Sequence, residues 1–191
     1  MSQRPHHHLI VGGQRSGKSR HAERLAQHWL AASAQHRVTV VATALAGDEE
    51  MRARISRHQA DRPAGMDTAE EPLLLSRVLP ALAEPGRLLL VDCLTLWLTN
   101  WLMPAQTPAQ MPPDPAAWET ERAAMLTTVA GLPSPVVFVS NEVGWGIIPM
   151  SSEVRHFADE LGRLNQDVAR QCGELTLMVA GQAWTRPVVS T

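Results

Sequence analysis

The amino-acid sequence predicts an α/β fold in which a mostly parallel sheet is flanked by helices, and three observations predict it. Short apolar runs alternate with longer amphipathic stretches, the order expected of βαβ units. The runs are continuously apolar, as strands covered on both faces are. A glycine-rich turn joins the first run to the first helical stretch, the context of a phosphate-binding loop.

The elements follow in order. Residues 1–8, with Arg4, His6, His7 and His8, are expected to form a solvated N-terminal arm. Leu9–Val11 is the first strand and Gly17–Ala32 the first helix. Val38–Ala42 is the second strand, followed by helices at about Glu49–Ala60 and Pro72–Ala83. Arg87–Val91 is a strand and Leu94–Leu102 a helix. Residues 104–115 hold Pro104, Pro108, Pro112, Pro113 and Pro115, a density that forbids a helix interior and predicts a loop. A helix over Pro115–Ala130, a strand over Val136–Ser140, a helix over Ser152–Cys172 and a strand over Leu175–Ala180 complete the chain. Because the alternation resumes after the proline-rich stretch, residues 1–191 are expected to form one domain.

Composition narrows the function classes. The 191 residues are 45% hydrophobic and 19% charged, a globular balance. A net charge of −2 and a pI near 6.4 speak against a dedicated nucleic-acid binder. Apolar runs such as Leu88–Val91 fall far short of the ~20 residues of a membrane span. The first ten residues hold no extended apolar stretch, so no secretory leader is expected, and a cytoplasmic location is. Cys93 and Cys172 form no C-x-x-C pair and are expected as reduced core residues.

The 17 basic residues comprise sixteen arginines and one lysine, Lys18. A chain that uses guanidinium everywhere else has kept a compact ammonium at this position. Lys18 lies in Gly12-Gly13-Gln14-Arg15-Ser16-Gly17-Lys18-Ser19, which matches G-x-x-x-x-G-K-[ST] at every fixed position. Glycines let the backbone wrap a phosphate, successive N–H groups point inward, and the helix N-terminus adds partial positive charge. Lys18 is then expected to reach the β- and γ-phosphates, with the Ser19 hydroxyl on Mg²⁺. The fold class narrows to a P-loop NTPase type.

The strand Leu88-Leu89-Leu90-Val91 ends at Asp92. In a phosphate-loop protein such an acid organises Mg²⁺; alternatively it caps the helix starting near Leu94. After strand two come Thr43 and Ala44, then Arg54, His58 and Arg62 at i, i+4, i+8, on one helical face if the segment is a helix. Flanking arginines disfavour a protonated imidazole, and neutral imidazole is the nucleophilic form. A solvated Arg/His face is the plainer alternative. The segment Ser140–Pro149 places Trp145 between Gly144 and Gly146, after a strand whose carboxyl end is where α/β folds bind ligands. Phe157, Leu161, Leu164 and Val168 form an apolar stripe on the last long helix, where His156 is expected to be structural.

Four segments, GGQRSGKSRHAE, DEEMRARISRHQADRP, NEVGWGIIP and RHFADELGRLNQDVA, together resemble the bifunctional adenosylcobinamide kinase/adenosylcobinamide-phosphate guanylyltransferase family from about Leu9 to Gly181. The resemblance implies phosphorylation of the corrinoid adenosylcobinamide with ATP or GTP, then GMP transfer from GTP to adenosylcobinamide phosphate, with His58 carrying GMP. It implies a nucleotide site at Gly12–Ser19, Thr43, Ala44, Gln59, Ala60, Asp61, Arg62, Glu70 and Asp92, with Mg²⁺ at Ser19 and Asp92. It also implies a homotrimer that binds neither nucleic acid nor a membrane. The alternative is a plain phosphate-loop small-molecule kinase. A regulatory GTPase is disfavoured, because an N-K-x-D guanine loop needs a second lysine.

Overall fold

The computed structural model describes residues 7–45, 49, 64–103, 115–146 and 148–189. Its strands are β1 (His8–Gly12), β2 (Arg37–Ala42), β3 (Met66–Glu70), β4 (Arg87–Asp92), β5 (Val136–Asn141), β6 (Glu174–Val179) and β7 (Gln182–Pro187). Its helices are α1 (Lys18–Ala32), α2 (Leu75–Leu82), α3 (Leu94–Leu102), α4 (Pro115–Val129) and α5 (Ser152–Gln171). The seven strands order as β3-β2-β4-β5-β1-β6-β7, all pairs parallel except β6 with β7. The mostly parallel α/β sheet flanked by helices is therefore observed.

Alternate residues of the central strands feed two cores, as the period of two requires. Ile10, Val38, Val40, Leu88, Leu90, Val137 and Val139 pack with Ala22 and Ala26 of α1. Leu9, Val11, Val41, Leu89, Val91, Val136 and Phe138 pack on the opposite face with α2, α3, α4 and α5. Trp97 and Trp118 meet edge-on there, with ring centroids 4.9 Å apart. Their indole N–H groups donate to the Leu73 carbonyl and to the buried Glu160 carboxylate, so neither ring leaves a buried donor unpaired.

Two corrections concern the ends of the sheet. The expected solvated arm does not extend to residue 8, because His7 and His8 are buried. His7 bridges the Val129 carbonyl and the Val136 N–H, and His8 opens β1 with its Nε2 2.7 Å from Thr176 Oγ1. Strands β3 and β7 were not expected. Both are edge strands with little apolar pattern: Met66–Glu70 is mostly exposed and Gln182–Pro187 is exposed throughout. The β6–β7 turn holds Ala180 and Gly181 at φ +50° and +78°, the left-handed pair that matches strand twist in a two-residue hairpin. Of the expected helix Glu49–Ala60 only Glu49 lies within the described residues. Most of the proline-rich stretch 104–115 lies outside them too, and Pro115 opens α4. No described helix is long and apolar enough to cross a membrane.

Candidate nucleotide-binding site

The turn from β1 into α1 requires glycine at two points. A Cβ on Gly12 would stand 2.4 Å from the Met178 carbonyl oxygen and 2.9 Å from Ser16 Oγ. Gly17 sits at φ +100° as the residue before α1, a conformation L side chains rarely adopt. Arg15, at the tip, is held at φ +56°, an uncommon state for a residue with a side chain. The surroundings fix the loop from two sides. Gly181 N–H donates to the Ser16 carbonyl at 2.9 Å, and Glu142 N–H to the Gly12 carbonyl at 3.0 Å.

Inside the loop the buried Lys18 ammonium donates to the Gly13 carbonyl at 2.7 Å. Ser16 Oγ is buried with no hydrogen-bond partner among the described residues. Gln14 to Arg20 line a cleft of about 270 Å³ together with Asp92, Cys93, Val139 and Asn141. Register explains how Asp92 joins them. Ile10, Val139, Asp92, Ala42 and Glu70 form one row across β1, β5, β4, β2 and β3. Asp92 is two strands from the phosphate loop in that row, about 10 Å at the usual strand spacing. It is not the cap of α3: that position is Cys93, whose side chain makes no capping bond.

The same row separates Glu70 from the cleft. At four strands from β1 it lies about 19 Å along the rim, exposed at the edge of the sheet. Thr43 is fully buried, its hydroxyl engaged with the backbone of Cys93, and Ala44 is half-buried beside it. His58, Arg54, Gln59, Ala60, Asp61 and Arg62 lie outside the described residues, which resume at Ala64, just before β3. The structure thus brings Gln14–Ser19 and Asp92 into one cleft, with Gly12 and Gly13 leading into it from β1 and Glu70 outside its lining.

Four lining residues were not expected, of which Arg20 only extends the loop run by one position into α1. Asn141 ends β5 as Asp92 ends β4, and that shared pattern of a polar residue closing an apolar strand was the available signal. Val139 gave none, since its strand reads as continuous core. Cys93 was expected as core filler, but it faces the cleft. Burial first, then the neighbouring Asp92 charge, pushes its thiol up to about 11, so near neutral pH it is no thiolate nucleophile. His156 is exposed on the first turns of α5 rather than structural, whereas Leu161, Leu164 and Val168 are core as their spacing predicts.

The donor set suits Mg²⁺. Ser19 and Asp92 offer hard oxygen ligands in one cleft.

The chain is similar to several known proteins. Residues 8–185 match the family model described as cobinamide kinase/cobinamide phosphate guanyltransferase. The bifunctional adenosylcobalamin biosynthesis protein CobP of Pseudomonas aeruginosa is 48% identical over 173 residues, 91% of this chain and 92% of that protein. The bifunctional adenosylcobalamin biosynthesis protein CobU of Escherichia coli is 37% identical over 182 residues, 91% of this chain and 95% of that protein. Among solved structures, the flagellar accessory protein FlaH of Methanocaldococcus jannaschii matches with a TM-score of 0.46 at 12% identity, covering 94% of this chain and 76% of that one.

Proposed function

The chain belongs to the cobinamide kinase/cobinamide phosphate guanyltransferase family and is an enzyme of both activities in cobalamin biosynthesis; we propose that the two reactions share the carboxyl rim of its sheet and that His58 carries GMP between them. The observation that carries this reading is the cleft in which the phosphate loop and Asp92 meet.

In the first reaction the hydroxyl of adenosylcobinamide attacks the γ-phosphorus of ATP or GTP, and the nucleoside diphosphate leaves. The loop N–H groups, the start of α1 and Lys18 hold the phosphates, and positioning plus positive charge does most of the catalysis. Ser19 and Asp92 would hold Mg²⁺, which when bound neutralises phosphate charge. In the second reaction a neutral His58 nitrogen attacks the α-phosphorus of GTP, pyrophosphate leaves, and a P–N bond forms. A phosphate oxygen of adenosylcobinamide phosphate then attacks the same phosphorus, the P–N bond breaks, and His58 is regenerated. Arg54 and Arg62, four residues either side of His58 in the sequence, supply charge to the phosphates. Gln59, Ala60, Asp61, Ala44 and Glu70 complete the nucleotide site in this reading, while Thr43, fully buried with its hydroxyl spent on Cys93, supports the site from behind without touching the nucleotide. Glu70 serves the far end of the rim, which is supported by its place in the row that passes through Asp92.

A corrinoid is large beside this chain. Val143, Trp145, Ile148 and Met150 are exposed on the segment that leaves β5 beside the cleft. Apolar side chains there favour a pocket shared between copies, a homotrimer in which the corrinoid lies between subunits. The cytoplasm, where ATP and GTP are available, is the proposed location.

Incubating the purified chain with adenosylcobinamide and GTP labelled at either phosphate tests the division. The γ-label is expected first on the corrinoid phosphate, followed by the α-label in an adenosyl-GDP-corrinoid as pyrophosphate appears. Transfer of the γ-label alone would leave the plain kinase.

A further inference from the structure

Thr43 stands fully buried at the carboxyl end of β2, and its polar groups are spent on the place where β4 leaves the sheet. Its hydroxyl donates to the Cys93 carbonyl at 2.7 Å and accepts from the Cys93 N–H at 2.9 Å. Its own N–H donates to the Asp92 carbonyl at 3.3 Å. Its carbonyl accepts from Asn100 Nδ2 at 2.8 Å, and the same Asn100 amide donates to the Pro72 carbonyl at 3.0 Å. The ends of β2, β4 and the segment after β3 are thereby tied to α3, the helix that begins just past Asp92.

The ladder between β2 and β4 already sets the register of Ala42 with Asp92, so the Thr43 hydroxyl is not needed to pair the strands. What it adds is a fixed backbone immediately after Asp92, and the backbone around a residue decides where its carboxylate points. A buried hydroxyl that satisfies both polar groups of one neighbouring residue holds that residue in one orientation. We propose that Thr43 is a positioning residue for Asp92: its hydroxyl, through Cys93, aims the Asp92 carboxylate into the cleft to receive Mg²⁺ with the nucleotide. The inference rests on the reading of Asp92 as the Mg²⁺-organising acid. A partner of this kind, one bond removed from a metal ligand, typically changes metal affinity by about 10–100-fold when removed.

The experiment measures binding of a fluorescent GTP analogue in EDTA and across a Mg²⁺ titration, for the wild type, Thr43→Val, Thr43→Ser and Asp92→Asn. Thr43→Val keeps the shape and loses both hydroxyl bonds. It is expected to bind the metal-free analogue as the wild type does, and to need about tenfold more Mg²⁺ to reach its midpoint. Thr43→Ser keeps the hydroxyl and is expected at the wild-type midpoint, which a merely structural role for the methyl group would not give. Thr43→Ala demands no extra space and carries the same expectation as valine if the valine chain does not fold. An unshifted midpoint in Thr43→Val or Thr43→Ala, or a serine chain shifted as far as valine, overturns the inference while a shifted Asp92→Asn leaves the reading of Asp92 standing. An unshifted Asp92→Asn overturns both.

Discussion

Lys18 Nζ lies 2.7 Å from the Gly13 carbonyl oxygen, so the one lysine of the chain closes the loop to which it belongs. On nucleotide binding the ammonium is expected to exchange that loop carbonyl for phosphate oxygens.

Lys18→Arg keeps the charge and replaces a compact donor with a planar fork in a buried position. The rate of corrinoid phosphorylation is expected to fall by about 10²–10³-fold, the usual effect of losing one oriented donor to transition-state charge. The circular dichroism spectrum is expected to be unchanged. Turnover close to wild type would remove the assignment of the phosphate loop.

Gly12→Ala places a methyl group 2.4 Å from the Met178 carbonyl oxygen, a backbone atom that cannot swing aside. Overpacking of this kind destabilises by about 1–3 kcal/mol. Denaturant unfolding is expected to show that loss, with weaker nucleotide binding. Gly162, inside α5, meets nothing within 4 Å of an added Cβ. Gly162→Ala is therefore expected to stabilise by up to about 1 kcal/mol through helix propensity.

How much of this was legible in the sequence depends on burial. The central strands β1, β2, β4, β5 and β6 are covered on both faces, so their apolar runs marked them to within a residue or two. Edge strands β3 and β7 have no such cover, and Met66–Glu70 and Gln182–Pro187 read as loop. Gly12–Ser19 was legible because the motif is local. Glu70 could not be separated from the phosphate cleft without knowing the order β3-β2-β4-β5-β1, which is a property of long-range pairing. His8 was misplaced for the same reason: its partner Thr176 is 168 residues away.

His8 gives stability a pH dependence. Burial, the largest cause, lowers its pKa below the usual 6.5, against an opposing effect of Glu174. The folded form thus binds its proton less readily than the unfolded chain. The contribution is present above pH 6.5 and is lost as pH falls from there toward the folded pKa, by at most about 1.4 kcal/mol per pH unit. The melting temperature of wild type is expected to drop more steeply below pH 6.5 than that of His8→Gln. Parallel profiles would show that His8 is not a contributor.

The claim that GMP travels on His58 is tested most directly by the bond itself. Wild type is incubated with GTP labelled at the α- or the γ-phosphate, denatured, and examined for label on the chain. The account predicts that only the α-label stays, that acid releases it while alkali does not, as a phosphoramidate requires, and that His58→Ala retains none while still binding nucleotide at the phosphate loop. An acid-labile GMP adduct that persists in His58→Ala, or no adduct in the wild type, would contradict it.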